Sequence, residues 1–382
     1  MKVYELQGVN FENKGAEMML RATAQHFSDH KKVKLALPFR IGSRVQREEA
    51  GLDHLLFLHR EPRFANTVLN CAASVLRKLP GHARRYHGSW GMMGLIDAAG
   101  FLYSEQWGLE GLELQAQKVR RFRSANKLVV FLPQAFGPFE SRRAKECAAA
   151  IVENSDLIFA RDATSYMHLA RAAGELPQLR QAPDFTNLLP PRFADPIGDD
   201  VVFIVPNARM IDKSTEEVAK QYISCLGHAV ASVRNVGLQP VIMVHDAIGD
   251  RAIAHDVRQM TGEAVREMTH SDPLVLKGWL AQARGVVGSR FHALVSALSS
   301  GTPAISLGWS HKYGELMADY GLESYNLTPG DLGRIDEAIQ LWSDQGVSAP
   351  LRQQIVARSK AIKRDVSAMW GQVDEVLAKY LK

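Results

Sequence analysis

Short apolar runs alternate with stretches whose apolar residues recur at helical spacing, which is the pattern of βα units around parallel strands. In the first half, residues 33–38, 95–101, 128–133 and 157–160 predict strands, with helices over 17–26 and 144–153 between them. Residues 183–199 are rich in proline and acid and follow neither period, so they predict a linker. The alternation then restarts. Strands are expected at 201–205, 240–245, 286–288 and 304–307, and helices over 215–236, 272–283 and 290–299. Residues 350–382 are helical by composition and spacing and are a candidate to pack back across the first half. The expected organisation is an N-terminal α/β domain over 1–190, a C-terminal α/β domain over 191–349, and a helical segment over 350–382.

Length agrees with that division, because 382 residues exceed what one compact core usually supports. Two Rossmann-like parallel-sheet domains joined by a linker resemble the GT-B type of glycosyltransferase, with a central cleft expected between carboxyl ends of strands. No internal repeat, low-complexity tract or heptad array competes with this α/β reading. A hydrophobic fraction of 46% and a charged fraction of 23% exclude disordered and fibrous classes. The formal charge of +5 favours anionic partners and does not choose among phosphate substrates, nucleic acid and anionic lipid.

Three widely spaced cysteines, Cys71, Cys147 and Cys225, have no CxxC pairing and read as reduced thiols of a cytoplasmic protein. The first ten residues lack the basic and apolar regions of a secretory signal. The longest uncharged run, 292–311, is interrupted by Ser299, Ser300, Gly301 and Pro303 and reads as helix, turn and strand rather than a membrane span. No metal site is expected, since acidic and histidine residues lack ligand spacing.

The sharpest local feature is Gly288-Ser289-Arg290-Phe291-His292-Ala293-Leu294, which reads as strand, tight turn and helix. Arg290 and His292 fall where the backbone N–H groups and the positive end of a helix favour an anion. The alternative is a solvated arginine and a hydrogen-bonded histidine. Lys312, in Trp309-Ser310-His311-Lys312-Tyr313, follows the next strand and is expected near Arg290. Arg161 ends a strand of the first half, with Asp162 or Thr164 able to cap the following helix; it reads equally as an anion contact or as a pair with Asp162. His245-Asp246 is a further acid/base candidate, with a capped turn as the favoured reading.

These pieces, in this order, resemble the polysaccharide pyruvyltransferase family. The resemblance is carried by Asn10-Phe11-Glu12-Asn13-Lys14-Gly15-Ala16-Glu17, Leu132-Pro133-Gln134-Ala135-Phe136-Gly137-Pro138, Ala160-Arg161-Asp162 with Ser165, Ala182-Pro183-Asp184, and Ser289-Arg290-Phe291-His292 with Lys312. Ala16 replaces a frequent aspartate, and Asp97-Ala98-Ala99-Gly100 stands where a triple-glycine turn is common. Gly15, Gly100 and Gly137 also read as plain turn residues. The resemblance implies phosphoenolpyruvate as donor, a sugar of a lipid-linked or other glycan as acceptor, a cyclic ketal as product, and no cofactor. Arg290, Arg161, Lys312, Asn13, Gly15 and Gln134 would bind substrate, and His292 would handle the proton.

Two other classes stay open at this point, a nucleotide-sugar glycosyltransferase and a nonenzymatic protein that binds anionic glycan. Between residues 60 and 87, Arg60, Arg63, Arg77, Lys78, Arg84 and Arg85 face only Glu61. Aromatic residues for base stacking are sparse, so nucleic acid is not expected as a partner. Val68-Leu69 and Val75-Leu76 beside Arg77-Lys78 predict either a helix resting on an anionic membrane, at its cytoplasmic face, or a helix with a solvated basic face.

Overall fold

The computed structural model describes all residues except 58–62, 80, 213–214, 247–248, 263–264, 309 and 382, and the side chain of residue 63. Arg60, Glu61 and Trp309 therefore lie outside the described residues. The chain forms two compact units, Met1–Phe185 with Asp365–Lys382, and Thr186–Arg364.

Unit 1 contains β1 (Lys2–Gln7), β2 (Val33–Pro38), β3 (Asp53–Leu56), β4 (Tyr86–Gly88), β5 (Met92–Asp97), β6 (Leu128–Gln134), β7 (Leu157–Ala160) and β8 (Leu179–Gln181). They form one sheet in the order β4-β3-β2-β1-β5-β6-β7-β8, with every pairing parallel. Its helices are α1 (Lys14–Ser28), α2 (Arg44–Glu49), α3 (Arg63–Leu76), α4 (Leu109–Ser124), α5 (Arg142–Glu153) and α6 (Ala163–Ala173). Unit 2 contains β9 (Val201–Val205), β10 (Gln239–Met243), β11 (Arg266–Met268), β12 (Gly285–Gly288) and β13 (Ala304–Ser306), all parallel in the order β11-β10-β9-β12-β13. Its helices are α7 (Arg209–Asp212), α8 (Glu216–Asn235), α9 (Asp250–Thr261), α10 (Pro273–Gln282), α11 (Phe291–Leu298), α12 (His311–Asp319) and α13 (Leu332–Ser343). The last helix, α14 (Gln345–Leu381), contributes residues to both units.

Strands covered by helices on both faces are apolar at consecutive positions. Every residue of β6 and β9 is buried. Helix starts follow capping chemistry: Ser141, Asp162 and Thr215 accept backbone N–H groups at α5, α6 and α8, and Asp272 caps α10 ahead of Pro273.

The unit boundary falls at Phe185/Thr186 rather than at 190. Phe185 meets Trp370 edge-on at 5.6 Å within unit 1. The Thr186 carbonyl accepts Lys277 Nζ at 2.8 Å, and Asn187 Oδ1 accepts the Tyr320 hydroxyl at 2.7 Å, so both residues are tied into unit 2. The C-terminal helix starts at Gln345, upstream of Pro350, and only its part from Asp365 joins unit 1.

In each sheet the strand order reverses once, between β1 and β5 in unit 1 and between β9 and β12 in unit 2. Loops leaving two such strands diverge to opposite faces, and ligands of open parallel sheets bind in the crevice this creates at the carboxyl ends.

Candidate functional site

The reversal in unit 2 brings the loop after β9 beside the loop after β12. Asn207 Nδ2 donates to the Ser289 carbonyl at 2.7 Å, and the Tyr313 hydroxyl donates to the same carbonyl at 2.7 Å. The Tyr222 hydroxyl lies 2.8 Å from Ser289 Oγ and accepts the Asn207 backbone N–H at 3.0 Å. All four residues are buried, so the turn leaving β12 is fixed by a satisfied polar network.

Arg290 follows at the N-cap of α11. Its fork closes on Asp250: Nε donates to Oδ2 at 2.8 Å and Nη2 donates to Oδ1, while Asp246 lies 3.4 Å away. Asp250 also accepts the N–H groups of Ala208 and Asp246, each at 3.0 Å. Burial opposes the Arg290 charge, and Asp250 outweighs it through charge and hydrogen bonding, so the guanidinium pKa lies above its ordinary value. Burial pushes the Asp250 carboxyl up, against the pull of Arg290 and the two backbone donors. Sequence reasoning placed no carboxylate against Arg290. Asp250 went unnoticed because it is forty residues away and looks like an ordinary helix-starting acid. His245 and Asp246 stand in the turn into α9, joined to Asp250 by its N–H bond to the Asp246 carbonyl at 3.1 Å.

His292 occupies the first turn of α11 and is half-buried, its ring edge-on to Phe291 at 5.4 Å. Lys312, near the start of α12, holds its ammonium 5.7 Å from the Phe291 ring and 5.3 Å from the Tyr313 ring. The structure therefore brings Arg290, His292 and Lys312 together around the start of α11. The side chain of Arg290 does not cap α11, since an arginine at the N-cap has no acceptor to do so. The start of α11, with its helix dipole and with His292 and Lys312 nearby, suits an oxyanion.

The other candidates belong to unit 1. Its reversal holds a second buried network, in which Asp97 accepts the Tyr103 hydroxyl at 2.6 Å, Gln134 Nε2 at 2.9 Å and the Ala99 N–H at 3.0 Å, together with Gln7 Nε2. Burial pushes the Asp97 carboxyl up while these donors pull it down. The predicted strand over 95–101 thus stops at Asp97, whose side chain binds the turn that follows. Gln134 is fully buried, with its amide N–H engaged by Asp97 and its Oε1 lacking a hydrogen-bond partner among the described residues.

Arg161 pairs with Asp184 at 3.0 Å, both buried, and not with Asp162, which instead caps α6 through the Ser165 N–H at 2.7 Å. Two of the segments carrying the family resemblance are thereby joined. Asn13 caps α1 by accepting the Ala16 N–H at 3.1 Å, and Gly15 is buried in the first turn of that helix. Gly137 has φ +77°, and a Cβ there would meet the His168 ring at 2.6 Å. Gly100 is not in the left-handed region; in this crevice that conformation belongs to Gly8, with φ +80° and packed on Ala99.

Three ligand-type side chains that linear spacing did not reveal, His26, His30 and Asp374, bring their ligand atoms within 4.8 Å of one another on α1, the residues just after it, and α14. His26 stacks on Trp370 at 4.0 Å and lies 2.9 Å from Asp374, a contact that holds α14 to α1.

Comparison with known proteins supplies the family. A family model described as polysaccharide pyruvyl transferase matches residues 13–311, a span that contains every candidate residue except Lys312. No curated protein matches the chain. Among solved structures, the S. aureus MnaA–UDP co-structure is similar with a TM-score of 0.63 and 9% identity, covering 99% of this chain and 97% of that one. Anabaena HepE in complex with UDP gives 0.60 and 11% identity, covering 99% and 100%. The UDP-GlcNAc 2-epimerase of Neisseria meningitidis bound to UDP-GlcNAc also gives 0.60 at 11% identity, with the same coverage. At such identities the likeness concerns the fold, which is GT-B-like.

Proposed function

Because the chain belongs to the polysaccharide pyruvyl transferase family, we propose that it transfers the pyruvate unit of phosphoenolpyruvate to a hydroxyl pair on a sugar of a lipid-linked glycan. The observation that supports this most is the grouping of His292, Lys312 and the start of α11 at the strand-order reversal of unit 2. Phosphoenolpyruvate carries a phosphate and a carboxylate, and needs both an anion seat and a proton source.

In the proposed reaction the donor's methylene carbon takes a proton from His292 and becomes a methyl group. One sugar hydroxyl adds to the neighbouring carbon, the C–O bond to phosphate breaks, and the second hydroxyl closes the ketal. The two hydroxyl protons balance the one taken by carbon and the one carried by the released hydrogen phosphate. Lys312 and the start of α11 seat the phosphate, and Arg290, held on Asp250, fixes the turn from which His292 projects.

The test uses purified protein, phosphoenolpyruvate and candidate glycan acceptors, with phosphate release and ketal formation as readouts. His292→Ala is expected to abolish turnover while phosphoenolpyruvate still binds by calorimetry. Lys312→Met is expected to weaken that binding about tenfold or more, the scale of a charge-assisted contact. Normal turnover in both variants refutes the assignment. A nucleotide-sugar donor is the competing reading, favoured by the UDP and UDP-GlcNAc in the structurally similar proteins. Release of nucleotide without phosphate from phosphoenolpyruvate would establish it instead. Among the described residues, no helix is long and apolar enough to cross a membrane, and we place the reaction in the cytoplasm.

A further inference from the structure

Helix α3 buries an asparagine while exposing large apolar side chains. The side facing the rest of unit 1 carries Asn70, which is buried: its Nδ2 donates to Ser89 Oγ at 3.1 Å, and its Oδ1 accepts the Trp90 N–H at 2.9 Å. Gly88 packs so closely that a Cβ there would sit 2.3 Å from Asn70 Oδ1, so the inward register of this asparagine is fixed. Ala73, one turn on, is also buried, and Leu69 and Leu76 on that side are half-buried. The opposite side presents Phe64 at 77% exposure, Val68 at 50% and Val75 at 62%, an apolar stripe at helical spacing. Leu79 beyond the helix end and Trp90, at 66%, are exposed as well. A helix that only needed to stay in water would carry these side chains inward.

The surrounding charge has one sign. Residues 62–96 contain no Asp or Glu. Arg77, Lys78 and Arg84 are exposed, whereas Arg85 is occupied by Asp53 at 3.0 Å and His82 lies 3.8 Å from Glu48. The six-cation cluster seen in the sequence thus contributes three exposed cations among the described side chains. Aromatic and aliphatic side chains beside arginine and lysine, with no acid between them, match the boundary of an anionic bilayer. There the apolar groups enter the acyl edge and the cations meet the headgroups. A protein partner with a matching acidic rim would also complement the charge, but an exposed Phe and Trp with long basic stems favour a lipid interface.

We propose that α3 and the Trp90 turn dock the protein on anionic lipid bilayers, by shallow insertion of Phe64, Val68, Val75 and Trp90. This inference stands independently of the transfer reaction and holds for any soluble substrate as well. The full chain is floated with phosphatidylcholine vesicles with and without phosphatidylglycerol. Binding is expected only with the anionic lipid and is expected to weaken with salt. Val68→Ser with Val75→Ser is expected to reduce partitioning at least tenfold, and Arg77→Gln with Lys78→Gln about thirtyfold, since each cation near such a surface contributes about fivefold. These positions are exposed, so circular dichroism and the unfolding midpoint are expected to stay unchanged. Trp90→Phe is expected to remove a blue shift in fluorescence on vesicle addition. The proposal is overturned by absence of flotation, by equal binding to neutral vesicles, or by variants that float like the parent. It is equally overturned if the exposed stripe proves to pair two copies, seen as a vesicle-independent dimer that Val68→Ser with Val75→Ser dissolves.

Discussion

Replacing Asp250 by asparagine tests how unit 2 holds its loop. The substitution keeps size and removes the charge facing Arg290, whose side chain is only 12% exposed and whose next carboxylate, Asp246, is 3.4 Å away. The asparagine amide also turns donors toward donors, because Asp250 accepts both arms of the arginine and the N–H groups of Ala208 and Asp246. Removing one partner of a buried pair costs about 3–5 kcal/mol. Residual compensation by Asp246 places the expected loss near the lower end, about 3 kcal/mol. In a unit of this size that lowers the calorimetric midpoint by about 6–12 °C. Urea unfolding at pH 7 measures the same quantity, and adding Arg290→Gln is expected to recover part of the loss by removing the stranded charge. A loss under about 1 kcal/mol, as for exposed pairs, refutes the reasoning: it would mean that burial keeps Asp250 neutral, so that asparagine replaces it without stranding a charge.

Three further outcomes follow from local geometry. Burial pushes the Cys225 thiol up to about 12 and raises Cys147 as well, while Cys71 is exposed. At pH 8 a thiol reagent is therefore expected to modify one cysteine quickly and the other two only on unfolding, and rapid reaction of all three contradicts the buried placement. Gly308→Ala puts a methyl group 1.9 Å from the Tyr313 ring, which must leave the Ser289 carbonyl; urea denaturation is expected to show a loss of about 2–3 kcal/mol, and no loss would mean the turn is slack. Burial lowers the pKa of His26 and of His54 despite their acidic neighbours. The folded protein then binds fewer protons than the unfolded chain, so stability is expected to fall as pH drops from about 7 through the ordinary histidine pKa near 6.5, and His26→Gln is expected to flatten part of that slope.

Local periodicity carried the apolar strands, because β6, β7 and β9 are buried on both faces and need no partner to be recognised. It failed at β1, the strand beside the reversal, whose Lys-Val-Tyr-Glu-Leu-Gln does not look like an interior strand. Glu5 is buried there with Lys118 reaching it at 2.6 Å, and the half-buried Gln7 binds Asp97; the partners are 113 and 90 residues away. The same holds for the site. Ser289-Arg290-Phe291-His292 is legible as a turn into a helix, whereas Asp250, Asn207 and Tyr222 reach it only through sheet order. The helical period of α3 was readable, but which side faced inward was not, since that is decided by the bonds Asn70 makes across to Ser89 and Trp90.

Charge balance around α11 bears on the roles proposed for its residues. Arg290 contributes one positive charge, Asp250 cancels it at hydrogen-bond distance, and Asp246 adds a negative charge at 3.4 Å. An incoming phosphate would have to compete with a bidentate carboxylate that is already desolvated, and such a pair exchanges partners only at large cost. The Lys312 ammonium rests over the Phe291 and Tyr313 rings beside the start of α11. Under the proposed reaction Arg290 acts as a positioning residue, and its loss is expected to appear first in the stability of unit 2. Under the proposed reaction, loss of Lys312 or His292 is instead expected to appear in donor affinity and turnover with the fold intact.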